Sequence, residues 1–240
     1  MVYRRRTTTR KRPIRRKRTQ RRKFTRNRRY NRSRITTTVS TGRSVIANRY
    51  LTKLVYGEAI NLQSPGGGTA VQYYQFKLND LFDPDLTGVG HQPRGFDQLT
   101  TLYQRYLVYG CKVIVEGKDT GTNANSTVLV VNAYPNNGVN NTPGNIIDAL
   151  EDRMTYTKNI DVNNTFRFSK YYDMAHLWGA TKSQLRNEEN YSASTNTSPN
   201  KTSVVAIGIV ASDGTVTALE CTVTLVYYCA FYSPLELGQS

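Results

Sequence analysis

The chain has 240 residues, 38% of them hydrophobic, with 33 Lys and Arg against 17 Asp and Glu and a formal net charge of +16. That size and composition suit one large all-β domain or two small ones; no run of about 18 apolar residues offers a membrane span, and the N-terminus lacks the apolar stretch of a secretory signal. The charge is unevenly placed, because residues 1–34 carry 18 Lys and Arg and no acid, leaving 15 basic and 17 acidic side chains, a net of −2, in the other 206 residues.

The first 44 residues read as an arm. Its cations are Arg4, Arg5, Arg6, Arg10, Lys11, Arg12, Arg15, Arg16, Lys17, Arg18, Arg21, Arg22, Lys23, Arg26, Arg28, Arg29, Arg32 and Arg34. Adjacent like charges repel and almost nothing apolar is available to bury, so the segment is expected to be disordered when free. Arg outnumbers Lys by 15 to 3, which favours phosphate because a guanidinium donates two parallel charge-assisted hydrogen bonds. Tyr3, Phe24 and Tyr30 lie among the arginines, where they can stack on unpaired bases. A solubilising tail or a membrane-surface patch is the weaker reading, since the arm has no Leu/Phe/Trp face. Such an arm neutralises phosphates without reading base edges, so DNA and RNA are not distinguished. A basic block of this kind also serves as a nuclear-import signal.

From about residue 45 the pattern becomes alternation, β-branched residues and turn clusters, marking 45–240 as the folded body. A first strand is expected at 50–60. Near it, Arg43, Arg49 and Lys53 are candidates for an ordered nucleic-acid contact, with plain solvated charge as the equal alternative. Gly66-Gly67-Gly68 reads as a loop, because no Lys-Ser/Thr follows as in a phosphate-binding turn. After a strand at 70–78 come Asp80, Asp83 and Asp85. These three carboxylates lack the spacing of an EF-hand, and Asp83-Pro84 favours a structural turn over an ion site.

A helix is expected over 96–105, with Phe96, Leu99, Leu102 and Tyr103 on one stripe. The next strand, 106–116, places Tyr109, Cys111, Val113 and Val115 on one face and Lys112 and Glu116 on the other. A strand at 126–134 precedes a second helix at 143–152, capped by Thr142 or Asn145 and burying Ile146, Ile147 and Leu150. Strands at 154–160 and 165–172 lead to a long connection, 173–201, that holds His176 and the single Trp178, a structural aromatic or an interface contact. The last strands are 202–211 and 216–232, with Asp213-Gly214 between them as a tight hairpin turn. In the final strand Cys221, Val223, Leu225, Tyr227, Cys229 and Phe231 share one side.

Eight strands with few tight hairpins argue for a single all-β jelly-roll sandwich with short helices in its connections. Three cysteines form no disulfide framework and match no zinc pattern, so a reducing compartment is expected. No nucleophile motif, Walker loop or dinucleotide fingerprint occurs, and neither His91 nor His176 has a metal-ligating partner at motif spacing. No enzymatic activity, metal or cofactor is expected.

Three stretches carry a resemblance: M-V-Y-R-R-R-T-T-T-R-K-R-P-I-R-R-K-R at the start, N-D-L-F-D-P-D-L-T-G-V-G-H-Q-P-R-G-F-D-Q-L-T-T-L-Y-Q-R-Y at 79–106, and the strand ending Tyr227-Tyr228-Cys229-Ala230-Phe231-Tyr232. They resemble the capsid proteins of small circular Rep-encoding single-stranded DNA viruses, the circovirus-like group. The resemblance implies a shell of about 60 copies of the chain itself, with arms directed inward onto a viral single-stranded DNA genome. It also implies a host nuclear-import receptor acting on the arm, residence in the virion and the host nucleus, and attachment to a host-cell receptor through exposed loops. By analogy, loops at 61–69, 117–125 and 212–215 meet at fivefold axes, and connections at 79–105, 135–152 and 173–201 build the other contacts. Small RNA virus coat proteins carry similar arms and remain an alternative. A cellular nucleic-acid-binding protein is another, although its folded surface is usually basic and the chain beyond residue 34 is net −2. A jelly-roll lectin or enzyme with a basic tail is a third; it requires a clustered polar site, and only the Asp80 turn is on offer.

Overall fold

The computed structural model describes residues 46–66, 68–120, 127–211 and 215–236. The arm at 1–44, including Arg43, and the Asp213-Gly214 pair lie outside them. Among the described residues nine strands form: β1 (Arg49–Gln63), β2 (Gln72–Lys77), β3 (Tyr103–Asp119), β4 (Thr127–Asn136), β5 (Thr155–Ile160), β6 (Thr165–Asp173), β7 (Ser192–Ser194), β8 (Thr202–Ala211) and β9 (Ala218–Pro234). Four helices of one or two turns interrupt them: α1 (Phe96–Thr100), α2 (Ile146–Glu151), α3 (Met174–Leu177) and α4 (Lys182–Asn187).

The strands divide into two sheets, one ordered β1-β9-β3-β6 with β7 beside β3, the other β2-β8-β4-β5. The pairing is nested: β4 with β5, β3 with β6, β2 with β8 and β1 with β9, all antiparallel. A single antiparallel ribbon wound so that its successive pairs alternate between two facing sheets is a jelly roll. All eight expected strands are present, and β7 is an addition too short to show in an alternation pattern.

Burial follows the period of two. Leu54, Tyr56, Ile60 and Leu62 of β1 and Cys221, Val223, Leu225, Tyr227, Cys229 and Phe231 of β9 point into the space between the sheets. Each such large apolar side chain contributes roughly 1.5–3 kcal/mol of burial. Strands β4 and β8 are buried on both faces, because Ile146 and Ala149 of α2 cover Val128, Val130 and Val210 on the outer side.

Four local expectations are corrected. The helix expected over 96–105 stops at Thr100; β3 begins at Tyr103, since its ladder with β9 runs out to Tyr103 opposite Pro234. Asn145 does cap α2, but a two-turn helix turns one narrow stripe inward, so Ile147 and Leu150 stand 60% and 67% exposed. A bulge between Val108 and Gly110 shifts the phase of β3, and Tyr109 leaves the row of Cys111, Val113 and Val115. Finally, β8 and β9 belong to different sheets and do not pair, so they are not the two arms of a hairpin.

At one end of the sandwich the connections are laced together. Ser64 N donates to Thr217 O at 2.8 Å, Thr120 N to Ala218 O at 3.1 Å, and the Thr127 and Thr217 hydroxyls meet at 2.7 Å. The longer connections, residues 78–102, 137–154 and 174–201, carry all four helices.

Candidate nucleic-acid interface

Odd-numbered positions of β1 face away from the core, which places both described candidates, Arg49 and Lys53, on the outer face of the first sheet. Arg49 lies opposite Tyr232 and Lys53 opposite Tyr228 in the β1–β9 ladder. Both are exposed, and each has an aromatic neighbour. The Lys53 Nζ sits 4.7 Å from the centre of the Tyr228 ring, and the Arg49 guanidinium 5.4 Å from that of Tyr109. Cation–π contacts of this kind hold a long basic side chain in place while leaving its charge available. Arg186 of α4 approaches the same Tyr109 ring at 5.8 Å. Partial burial, then the like charge of Arg186, lowers the Arg49 guanidinium below its ordinary value.

The tyrosines here are fixed by packing. Tyr171 of β6 meets Tyr228 edge to face, with ring centres 5.4 Å apart. It can do so because residue 110 is glycine: a Cβ there would lie 2.1 Å from the Tyr171 Oη. Burial pushes the Tyr171 phenol up, with Asp173 adding to it. Tyr109, Tyr171, Tyr228 and Arg186 come from four separate segments, so no spacing in the sequence announces their meeting.

The acidic turn is built as structure. Asp80 is fully buried, and its Oδ1 accepts from the backbone N–H groups of Phe82 and Asp83 and from the Tyr106 hydroxyl at 2.9 Å. Burial, then the charge of Asp80, pushes the Tyr106 phenol well up, which keeps it a donor. Lys77 Nζ lies 2.7 Å from Asp83 and 3.4 Å from Asp80, so the protein supplies its own cation. Asp85 accepts from Tyr74 Oη and Thr87 N. No group of three His, Cys, Asp or Glu able to hold a metal occurs among the described residues.

The remaining singled-out side chains have local partners. Trp178 Nε1 donates to Ser203 Oγ at 2.8 Å and its ring packs edge-on against Tyr191. His91 stacks on Tyr56 at 4.6 Å and lies 3.6 Å from Glu58. All three cysteines are free and buried, and burial pushes the Cys221 and Cys229 thiols up to about 12.

No protein-family model and no curated protein matches the chain. Solved structures do. A 60-mer of the BFDV capsid protein is 11% identical over 80% of this chain and 97% of that one, with a TM-score of 0.44. The giant freshwater prawn Macrobrachium rosenbergii nodavirus semi-empty VLP is 12% identical over 82% and 100%, with a TM-score of 0.42. Desmodium yellow mottle tymovirus is 11% identical over 79% and 93%, with a TM-score of 0.37. The fold assignment itself stands on strand order and register.

Proposed function

We propose that the protein is the coat protein of a small icosahedral virus, a shell-forming jelly roll (45–240) with an arm (1–44) that packages single-stranded nucleic acid. The observation that carries this reading is the charge split: 18 cations in the first 34 residues, against a net of −2 over residues 35–240. A near-neutral sandwich with long connections suits repeated subunit contacts, because loops on a rigid scaffold can make many patches without disturbing the core. A dense polycation suits a packed polyanion. With about 60 copies, on the order of 10³ positive charges would face the genome, enough for one of order 1–2 kilobases. The sequence resemblance favours a circular single-stranded DNA genome, nuclear import through the arm and attachment through surface loops. A single-stranded RNA genome is the second reading, favoured by an arm that neutralises phosphate without selecting the sugar.

Electron microscopy of the purified full-length protein, with its nucleic-acid-to-protein absorbance ratio, tests the proposal. Uniform closed particles holding nuclease-protected polynucleotide are expected, and digestion of the extract with DNase or RNase names the genome. A small monodisperse species that only binds added DNA would overturn the coat-protein reading in favour of a cellular nucleic-acid-binding protein. Deleting residues 1–34 is expected to leave particles that are empty; undiminished packaging would misplace the arm's role.

A further inference from the structure

At one end of the outer face of the first sheet, cationic charge exceeds what the neighbouring carboxylates take up. Arg49, Lys53, Lys112, Lys182 and Arg186 make no ion pair among the described residues. Lys112 points outward from β3 and lies opposite Tyr171 in the β3–β6 ladder. Lys182 and Arg186 line a cleft of about 170 Å³ with Tyr109, Tyr171, Asp173 and Leu185. Asp173 is the one carboxylate in that cleft, and its Oδ1 already accepts from the backbone N–H groups of Ala175 and His176. At the far end of the same face the charges are balanced, with Arg167 paired to Glu116 and Lys118 opposite Glu220.

Two guanidiniums near one tyrosine ring repel each other, and a bound anion relieves that repulsion. The Tyr109 Oη is buried with no hydrogen-bond partner among the described residues. A second cavity of about 340 Å³, with Arg153, Lys170 and His176 in its walls, shares Tyr171 and Asp173 with the first. Tyr171 therefore stands as a partition between two cationic hollows. It is 50% exposed yet held over Gly110 and against Tyr228, so a stacking base meets a ring whose ordering cost is already met by packing. Both hollows are near or below the roughly 300–1,000 Å³ of small-molecule pockets, a scale that suits single phosphates and single bases. Alternating cations and aromatic faces are the means by which proteins hold single strands without reading sequence.

We infer that this end of the face is an ordered docking site for single-stranded nucleic acid, with Arg49, Lys182 and Arg186 on phosphates and Tyr171 and Tyr228 stacking unpaired bases. It rests on the reading that the chain packages single-stranded nucleic acid, and adds a body site distinct from the arm. The ligand chemistry, a phosphodiester chain with free base faces, is shared by DNA and RNA.

The test is photocross-linking of the full-length protein to 5-bromouracil-substituted DNA and RNA strands of roughly 20 nucleotides, with the linked peptides mapped by mass spectrometry. Links in the arm and at Tyr171, Tyr228 or Tyr109 are expected, and the polymer that gives the body links names the source. In Lys182→Glu/Arg186→Glu, whose exposed side chains leave the core untouched, links at the tyrosines should fall on the order of tenfold relative to those in the arm. An unchanged melting temperature shows that this loss is not unfolding. Arm links without body links overturn the site and leave the packaging reading intact. Body links that ignore the double substitution overturn it too, and no links anywhere overturn both.

Discussion

Lys77 and Asp80 show how a single side chain decides between an ion site and a turn. Three carboxylates in six residues look like a cation trap in sequence, yet the cation arrives from three residues upstream on β2. The side chain of Lys77 is 12% exposed and that of Asp80 fully buried, so removing the ammonium strands a carboxylate that already uses one oxygen on three donors. Lys77→Met is expected to cost roughly 3 kcal/mol, the low end for breaking a buried pair, because the lysine keeps some solvent. Urea unfolding monitored by circular dichroism reads it. Calcium or a chelator should leave the wild-type midpoint unchanged; a rise with calcium would revive the ion site.

The cysteines lead to a second residue-scale expectation. Folded Cys221 and Cys229 stay protonated up to about 12, against an ordinary value of 9.0, because burial disfavours the thiolate. Between those values the unfolded chain has released protons that the folded chain retains. The unfolded state then binds fewer protons, so stability falls as pH rises through that window. The urea midpoint should be lower at about pH 10.5 than at about pH 8, and Cys221→Ala/Cys229→Ala should flatten the difference even where the cavities lower both midpoints. A slope equal in both proteins would place the alkaline sensitivity in Cys111 and the buried tyrosines instead, whose groups burial also pushes up.

At the scale of elements, the sequence was most legible where one face of a strand meets the core. The inward rows of β1 and β9 follow a strict period of two; in the sequence the row of β9 is legible residue by residue, that of β1 only as a strand at 50–60. The misreadings fall where tertiary pairing overrides a local signal. The 96–105 stripe is helical in pattern, yet its second half is needed by the ladder with β9. Asp213-Gly214 has the chemistry of a two-residue hairpin, but that chemistry cannot report that the flanking strands belong to opposite sheets. The bulge at Tyr109 leaves no mark beyond the glycine that follows it; of the candidate interface Arg49 and Lys53 are legible in the sequence, whereas their partners Tyr109, Tyr171, Tyr228 and Arg186 meet only through the tertiary fold.

Helix α4 shows what a short element can still specify. Thr181 Oγ1 accepts from Gln184 N while the Gln184 side chain accepts from Thr181 N, a reciprocal cap that starts the helix. Leu185 anchors it in the core, leaving Lys182 and Arg186 exposed. Thr181→Ala is expected to lower stability by about 1 kcal/mol. If the helix positions the cleft, it should also reduce cross-links at Tyr171 without affecting those in the arm. Thermal melts and the mapped peptides separate the two effects.

For the whole molecule, nested pairing makes the first and last strands partners, so β1 closes on β9 across nearly the full body. Such long-range pairing makes folding slow and exposes strands meanwhile. It also leaves the long connections 78–102, 137–154 and 174–201 outside the two sheets, where another copy can meet them. A group of apolar side chains left in water supports that use. Val139, Ile147 and Leu150, in one connection, are 60–67% exposed, although α2 has already buried Ile146 and Ala149 against the sheet. A helix with apolar residues on two sides in a monomer is explained if the second side is covered in an assembly. On that reasoning Ile147→Asp/Leu150→Asp should change the stability of the unassembled subunit by no more than about 0.5 kcal/mol per site, as for surface substitutions. It should nevertheless prevent closed particles in electron microscopy and shift sedimentation to small species. Binding of added single strands, as proposed for the 18 cations of residues 1–34, should survive, because neither substitution changes any of them. Particles of normal size from this variant would show that α2 faces solvent in the shell, and the subunit contacts would then have to be sought along the 79–105 and 173–201 connections.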